Sequence, residues 1–508
     1  MYNSNTPSPE QQPPFHPEEQ TKYPQPLTGQ TIEMIFSDCD DFDLRSVLAG
    51  EKPEFPAAVC WLDGLTAGGD ISTDVLRPLT ETARFVGLKT EADIIDRILK
   101  GAVYSYTVNR RDNCDDVVQD LLNGFCAIIF DTSQIAVTFE VKSSANVRSI
   151  AEASLEKTVK GAKDAFIETM RVNTSLVRKK LRTAKLKSVE TTIGRKSGTG
   201  VSVMYVEDVA EQHRVDEVLS RLEAIEIDGL IASGFLEQYI VDQPSSPFPQ
   251  LLHTERPDTF ARYLLQGRIG ILVDGLPLGF ATPAQFTQFM KVSEDNAQHF
   301  TVSSVLVLLR YMAFLCALYL PAFYVAVAMY HQEMIPTQLL SSAITAKQQV
   351  PFPTSIEVLG MLVAFELLQE AGLRLPTPIG DTVSIIGALI VGQSAVEAKF
   401  LSPIAVIIVA FSGIASYTLP SQDMASGIRI MRIILVLVAM FAGIFGIMAV
   451  TTLMIWHMCS IESYGVCYLS PLVDGAQGSW IWSLLKKPLW KDKFRDPTVA
   501  GKDLRKQK

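Results

Sequence analysis

The sequence predicts an α+β or α/β soluble N-terminal region of two lobes, followed by an all-α polytopic membrane domain. Three observations predict it. Charged residues crowd positions 30–300, and the long apolar runs all begin after 300. Residues 29–155 and 160–300 each carry their own strands, helical patterns and turn punctuation. The stretch 351–397 lies among the apolar runs yet carries Glu357, Glu366, Glu370, Asp381, Gln393 and Glu397.

A chain of 508 residues has room for two lobes and a membrane part. Its net charge of −10 argues against nucleic acid as a partner. Residues 1–28 are rich in Pro, Gln and Glu, which predicts a disordered tail. They have no apolar core of a signal sequence, which predicts that the N-terminal lobes stay cytoplasmic. The seven cysteines show neither CxxC nor metal spacing, so free thiols in a reducing compartment are expected, with a Cys459–Cys467 bridge as the alternative if both lie outside the membrane. No cofactor and no metal are expected.

In the first lobe, 29–155, the run Ala57-Ala-Val-Cys-Trp-Leu62 reads as a buried strand ended by Asp63-Gly64. Helical patterns follow at 73–85, 91–100 and 113–122, the last stopped by Asn123-Gly124. Strands at 125–130 and 135–141 are joined by a hairpin at Asp131-Thr-Ser-Gln134. In the second lobe, 160–300, a basic helix is predicted over 173–181. Strands follow at 186–193 and 200–206, helices at 212–226 and 234–241, and a strand at 268–274. The loop Gly194-Arg-Lys-Ser-Gly-Thr-Gly200 is not a Walker sequence, because no Gly-Lys-Ser/Thr opens a helix there; it reads as a hairpin loop. Ser246-Pro-Phe-Pro-Gln250 and His253-Thr-Glu-Arg-Pro257 read as extended loops, since residues before proline avoid the α region. They are either a rigid connection or a partner contact through Pro247, Phe248, Pro249, Glu255 and Arg256.

The membrane domain is expected over 301–460, with spans at 302–330, 403–419 and 428–457 and a short segment at 382–397. That gives about four crossings. The tail 461–508 is strongly basic after Trp482, which places it on the cytoplasmic side with the N-terminal lobes.

Within 351–397 two helical segments, 355–372 and 382–397, flank the breaker Leu375-Pro-Thr-Pro-Ile-Gly380. A charge at membrane depth costs at least about 2.5–3.5 kcal/mol, and broken helices are tolerated there only inside protein or beside water. Glu366 and Glu370 share one face with Leu359, Leu362 and Val363, and the opposite face is also apolar. Leu389, Gln393 and Glu397 form one helical row flanked by Ile386 and Ile390. The row is a candidate gate, with Leu389 and Ile390 as its apolar constriction and Glu397 at a mouth. Glu366 and Glu370 are expected as a second ring or as buried partners of Arg374. The alternative is an interfacial helix with its carboxylates in water.

Several motifs together resemble one family. They are Ser246-Pro-Phe-Pro-Gln, Thr254-Glu-Arg-Pro-Asp258 and Gly267-Arg-Ile-Gly-Ile-Leu-Val-Asp274, then Pro351-Phe-Pro, Glu366-Leu-Leu-Gln-Glu-Ala-Gly-Leu-Arg-Leu-Pro376 and Gly392-Gln-Ser-Ala-Val-Glu397. They are similar to the A subunits of the GerA-type spore germinant receptors over roughly residues 30–470. Lys160-Gly-Ala-Lys163 departs modestly from that pattern. The resemblance implies a subunit in the inner membrane of bacterial spores. It implies a B-type membrane subunit and a C-type lipoprotein as partners, and a homo-oligomeric, pentameric cation channel opened by nutrient. A paralogous spore membrane channel that amplifies germination, encoded with dipicolinate-release proteins, shares these motifs. A secondary transporter is a further alternative, without a visible inverted repeat. No HExxH, nucleophile elbow or histidine cluster points to an enzyme.

Overall fold

The computed structural model describes residues 23–49, 55–88, 90–103, 107–141, 153, 156, 158, 160–374, 392–473 and 480–507. Most of the expected N-terminal tail lies outside these residues, as do Asp381, Ile386, Leu389 and Ile390. The chain forms two compact units. One comprises Met1–Pro244, Leu251–Ala284 and Pro488–Lys508, and the other Ser245–Gln250 and Gln285–Lys487.

In the first unit the chain opens with helix α1 (Gly29–Ile35) and strands β1 (Phe42–Ala49) and β2 (Phe55–Leu62). A run of short helical turns leads to α2 (Glu91–Arg97), then β3 (Val108–Arg111), α3 (Cys114–Leu122), β4 (Phe125–Phe130) and β5 (Ile135–Glu140). The strands pair antiparallel in the order β1-β2-β4-β5-β3. Alternate residues of β2 enter two different cores: Val59 and Trp61 on one face, Ala58, Cys60 and Leu62 on the other. Burial on both faces explains why β2 reads as one continuous apolar run. Leu27 belongs to the second of those cores, so ordered packing starts just inside the expected tail.

The second half of the unit runs α4 (Met170–Lys180), β6 (Leu186–Ile193), β7 (Thr199–Val206), α5 (Gln212–Glu223), α6 (Ser233–Ile240), β8 (Leu252–Thr254), α7 (Pro257–Leu265), β9 (Ile269–Val273) and β10 (Gly279–Thr282). Its sheet order is β6-β7-β9-β10-β8. Numbered within each half, both sheets read 1-2-4-5-3. In each half one helix separates the third strand from the fourth, and it ends in a matching signal: Leu121-Leu122-Asn123-Gly124 before β4, Leu264-Leu265-Gln266-Gly267 before β9. Gly124 and Gly267 sit at φ 85° and 92°, the left-handed helix stop that glycine favours. The two lobes are therefore a structural repeat.

The lobes are pinned together. Residues 38–40 pair with β6, an edge strand of the second sheet: Asp40 N donates to Ser188 O at 2.9 Å, and Ser188 N donates to Asp38 O at 3.1 Å. Lys187 Nζ donates to Ser37 O at 2.8 Å. Beneath them Arg178 and Asp41 form a buried two-pronged ion pair. Burial opposes the charge on Arg178, and Asp41 beside it holds the guanidinium above its ordinary value.

The basic tail is not free. Gly501 N donates to Val209 O at 2.7 Å, Arg214 Nη1 to Val499 O at 2.7 Å, and Arg495 Nε to Leu265 O at 2.7 Å. Val499 and Leu504 are buried in the same unit. Deleting residues 488–508 is therefore expected to lower the cooperative melting temperature of the chain by several degrees. Melting of the truncated protein against the full chain, both in detergent, checks it.

The second unit holds α8 (Phe300–Tyr330), α9 (Thr337–Lys347), α10 (Thr354–Arg374), α11 (Gly392–Glu397), α12 (Pro403–Tyr417) and α13 (Gln422–Ser460). Two of them, Phe300–Tyr330 and Gln422–Ser460, are long and apolar enough to cross a membrane. α13 is not one rod. Straight, its 39 residues would span about 58 Å and set Gly427 about 45 Å from His457. Yet Ser246 Oγ lies 2.9 Å from His457 Nε2, and a Cβ on Gly427 would lie 2.3 Å from the carbonyl oxygen of the adjacent Pro247. The helix doubles back at Gly443, whose φ of 57° and ψ of −141° are non-helical. Val438 and Gly446 meet across the turn, with a Cβ at 446 only 2.7 Å from Val438 Cγ1. α13 is a helical hairpin whose arms, 422–442 and 444–460, measure about 31 and 25 Å. The apolar run expected as one span over 428–457 is thus bent at its middle.

Tyr330, the last residue of α8, closes the bend. Its hydroxyl donates to Met440 O at 2.6 Å, a carbonyl freed by the break, and its ring packs on Gly443. Gly443→Ala is expected to cost about 1–3 kcal/mol, because alanine is strained at this φ and ψ. Tyr330→Phe is expected to cost about 1 kcal/mol, by orphaning that carbonyl. Thermal melting in detergent reads both. An unchanged melting temperature for Gly443→Ala would speak for a straight helix.

Candidate functional site

Polar groups buried among the apolar helices of the second unit make the candidate site. Its scaffold is α10, which packs against α12 and α13. Pro353 precedes the helix, and buried Thr354 and Ser355 open it. In its first turn Glu357 is 2% exposed and accepts a hydrogen bond from Ser402 N at 2.9 Å. Ser402 caps α12, with its hydroxyl accepting from Ala405 N at 3.3 Å. One carboxylate therefore sits at two helix N-termini, where the backbone dipoles favour negative charge. Its other oxygen, Oε1, is buried without a hydrogen-bond partner.

Glu366 lies nine residues further, about 13 Å along α10. Its Oε1 accepts from Arg432 Nη2 at 2.6 Å, and Arg429 Nε stands 3.5 Å from its Oε2. Both arginines belong to the first arm of α13. Arg374 was the expected partner; its side chain lies outside the described residues. The arginine pair was visible in the sequence as two cations three apart at the start of an apolar run, but nothing in the local pattern joins them to a residue over 60 positions earlier.

The other expected site residues are placed as follows. Glu370 is exposed, one turn beyond Glu366. Gln393 and Glu397 are exposed on the short α11. Their row partner Leu389 and the flanking Ile386 and Ile390 lie outside the described residues, so the described residues do not bring the gate row together. Of the partner-contact residues, Phe248 is buried in the second unit and packs on the His457 ring at 6.2 Å between centroids; Pro247 and Pro249 are half-buried there. Arg256, in the first unit, is buried. It donates to Thr158 Oγ1 at 2.8 Å and pairs with Asp258 at 2.7 Å. Glu255 is half-buried, and its carbonyl accepts from Phe166 N at 2.7 Å. Phe248 and Arg256 thus spend their side chains inside this chain. The stretch read as a loop over 253–257 instead enters β8 and starts α7 at Pro257, a first helical position where proline fits.

Arg310, which interrupts α8, is also neutralised internally. It meets Asp295 through two bonds of 2.6 and 2.9 Å. The 20 residues that follow, to Tyr330, carry no charge and measure about 30 Å, the thickness of a bilayer core. Near 253–258, burial raises the pKa of Glu156, which accepts from Thr254 Oγ1 at 2.5 Å. Burial pulls Arg268 down to about 10. The seven cysteines are free thiols. Cys60 is pushed up to about 12 by burial, so it behaves as an inert core residue.

Comparison with known proteins agrees with the motifs. A family model described as Bacillus/Clostridium GerA spore germination protein matches residues 30–498. The uncharacterized membrane protein YfkQ of Bacillus subtilis (strain 168) is 37% identical over 446 residues, covering 87% of this chain and 84% of that protein. Spore germination protein KA of the same organism is 35% identical, covering 91% of this chain and 84% of that protein. Spore germination protein GerLA of Bacillus cereus is 33% identical, covering 91% and 93%. A crystal structure of the N-terminal domain of the A subunit of the Bacillus megaterium spore germinant receptor GerK3 is 30% identical. It covers 51% of this chain and 93% of that chain, at a TM-score of 0.40. With a family match across nearly its whole length and relatives of this identity and coverage, the chain belongs to the GerA family of spore germination proteins.

Proposed function

We propose that this protein is a membrane subunit of a spore nutrient-germinant receptor and that it forms an oligomeric, ligand-gated cation channel whose opening starts germination. The observation that carries the reading is the burial of Glu357 and of Arg432 among apolar helices, with half-buried Glu366 paired to the arginine. Ionisable groups in such a place are costly, and where they occur in membranes they mark ion or substrate paths. A B-type membrane subunit and a C-type lipoprotein are the proposed partners, and the spore inner membrane is the proposed location. The gate is Leu389 and Ile390, flanked by Ile386, with Gln393 in the same row and Glu397 at one mouth. The half-buried Pro247 and Pro249 offer edges for a partner.

The topology is polytopic with an even number of crossings. Support comes from the first unit, where residues 488–507 pack in the same fold as the described residues of 23–244 and 251–284. A chain that leaves and re-enters one folded body on one side crosses an even number of times. The α13 hairpin adds two crossings or none in place of the one expected over 428–457, so with α8 crossing once an even total requires an odd number of crossings between Tyr330 and Gln422. Single cysteines at Met34 and Lys502, in a Cys459→Ser background, are expected to label from the same side of sealed vesicles. A cysteine at Gln338, just beyond α8, is expected to label from the other. Opposite labelling at 34 and 502 would overturn the even count.

Purified protein in liposomes is expected to pass monovalent cations, and Leu389→Ala is expected to raise the closed-state leak several-fold at unchanged melting temperature. A folded protein that carries no current with or without nutrient and partners, yet drives uphill uptake, would make it a transporter. Loss of stability in Leu389→Ala without extra leak would remove this row from the pore.

A further inference from the structure

Two guanidinium groups in the second unit face a single carboxylate. Arg432 is 1% exposed, and only its Nη2 is engaged, with Glu366. Its Nε and Nη1 are buried and have no hydrogen-bond partner. Arg429, three residues earlier on the same helical face, approaches Glu366 at 3.5 Å through Nε, which makes no hydrogen bond. Gln369, one turn past Glu366, has a buried Oε1 without a partner and can accept from one of these donors. Among the described residues the charge stays unbalanced, and at least one buried guanidinium donor stays unmet. A buried charged donor left unmet costs more than a neutral one. A bound anion removes both deficits.

We propose that Arg429 and Arg432 hold a phosphate oxyanion, supplied by a membrane phospholipid or by free phosphate. Arginine suits phosphate because it keeps its charge when buried and offers several donors in one plane. Arg429 is 27% exposed and provides the way in, while Arg432 lies behind it. Tyr417, 61% exposed and ring-packed on Phe365 beside Glu366, flanks the entry. Along the first arm of α13 the two arginines lie about 10–15 Å from Gln422, so a lipid phosphate meets them when the start of the arm projects about 5–10 Å beyond the bilayer surface. The lipid source rests on the membrane reading given above; the oxyanion site does not.

The test uses the full-length protein in detergent. Melting temperature is measured against inorganic phosphate, against phosphatidylglycerol, and against a glycosyl diacylglycerol with the same chains but no phosphate. A rise of about 3 °C or more with a phosphate-bearing probe is expected. Arg429→Gln, which leaves the Glu366–Arg432 pair intact, is expected to lose most of it. Glu366→Gln is expected to keep or enlarge it, by removing the competing carboxylate. A rise with phosphatidylglycerol alone assigns the lipid; an equal rise with inorganic phosphate assigns the free ion. No rise with either, an equal rise in Arg429→Gln, or an equal rise with the glycolipid overturns the site. Cation flux is read separately, so failure of the channel reading would appear there and leave these shifts unchanged.

Discussion

Asp41→Ala is expected to destabilise the protein by about 3–5 kcal/mol, the cost of leaving a buried arginine without its counter-charge. Asp41 and Arg178 are 1% and 0% exposed at their side chains. The pair is two-pronged, with Nη2 to Oδ1 at 2.5 Å and Nε to Oδ2, and Arg178 Nη1 also donates to Leu186 O at 3.2 Å. Removing the carboxylate strands the guanidinium between the two lobes. Removing both charges with Asp41→Leu and Arg178→Met is expected to restore most of the loss, since a hydrophobic pair of similar size suits such a site. Lys100→Ala is the control: its partner Asp96 is as open to water as it is, at 61% against 67% exposed, so a change within about 0.5 kcal/mol is expected. Urea unfolding of the full chain in detergent measures all three. If Asp41→Ala costs no more than the control, the pair does not join the lobes.

What the sequence disclosed follows from the range of the forces involved. Strands β2, β4, β7 and β9 were legible because burial makes each a short apolar run with turn residues at its ends. β1 was not: it is an edge strand whose Asp43 and Arg45 break the apolar pattern. β8 has only three residues. Without β1, β3, β8 and β10 the shared strand order stayed hidden, although Leu-Leu-Asn-Gly and Leu-Leu-Gln-Gly stood in plain sight. The α13 hairpin was concealed because both arms are apolar, so only the Gly443 backbone marks the bend. Glu366 was legible as a misplaced charge. Its partners were not, because periodicity reaches one helix and Arg432 lies on another.

Glu366→Ala is the second large effect expected, again about 3–5 kcal/mol, and it separates two roles for the α10 carboxylates. If Glu366 and Glu370 formed one water-facing ring, removing either would cost little stability and both would alter selectivity alike. The structure gives them different surroundings. Among the described residues Glu366 is the carboxylate paired with Arg432, whose guanidinium is 1% exposed, whereas Glu370 is exposed on the next turn. Glu366→Ala therefore strands a buried cation, and Glu370→Ala is expected to stay within about 0.5 kcal/mol. Glu366→Ala combined with Arg432→Met is expected to recover most of the lost stability. Melting temperature in detergent gives the stability order, and cation preference in liposomes gives the transport side. Stability lost at 366 and selectivity altered only at 370 would make Glu366 the strut that holds α10 to α13 and Glu370 the group nearer the ions. Equal, small losses at both positions would return Glu366 to the water-facing ring.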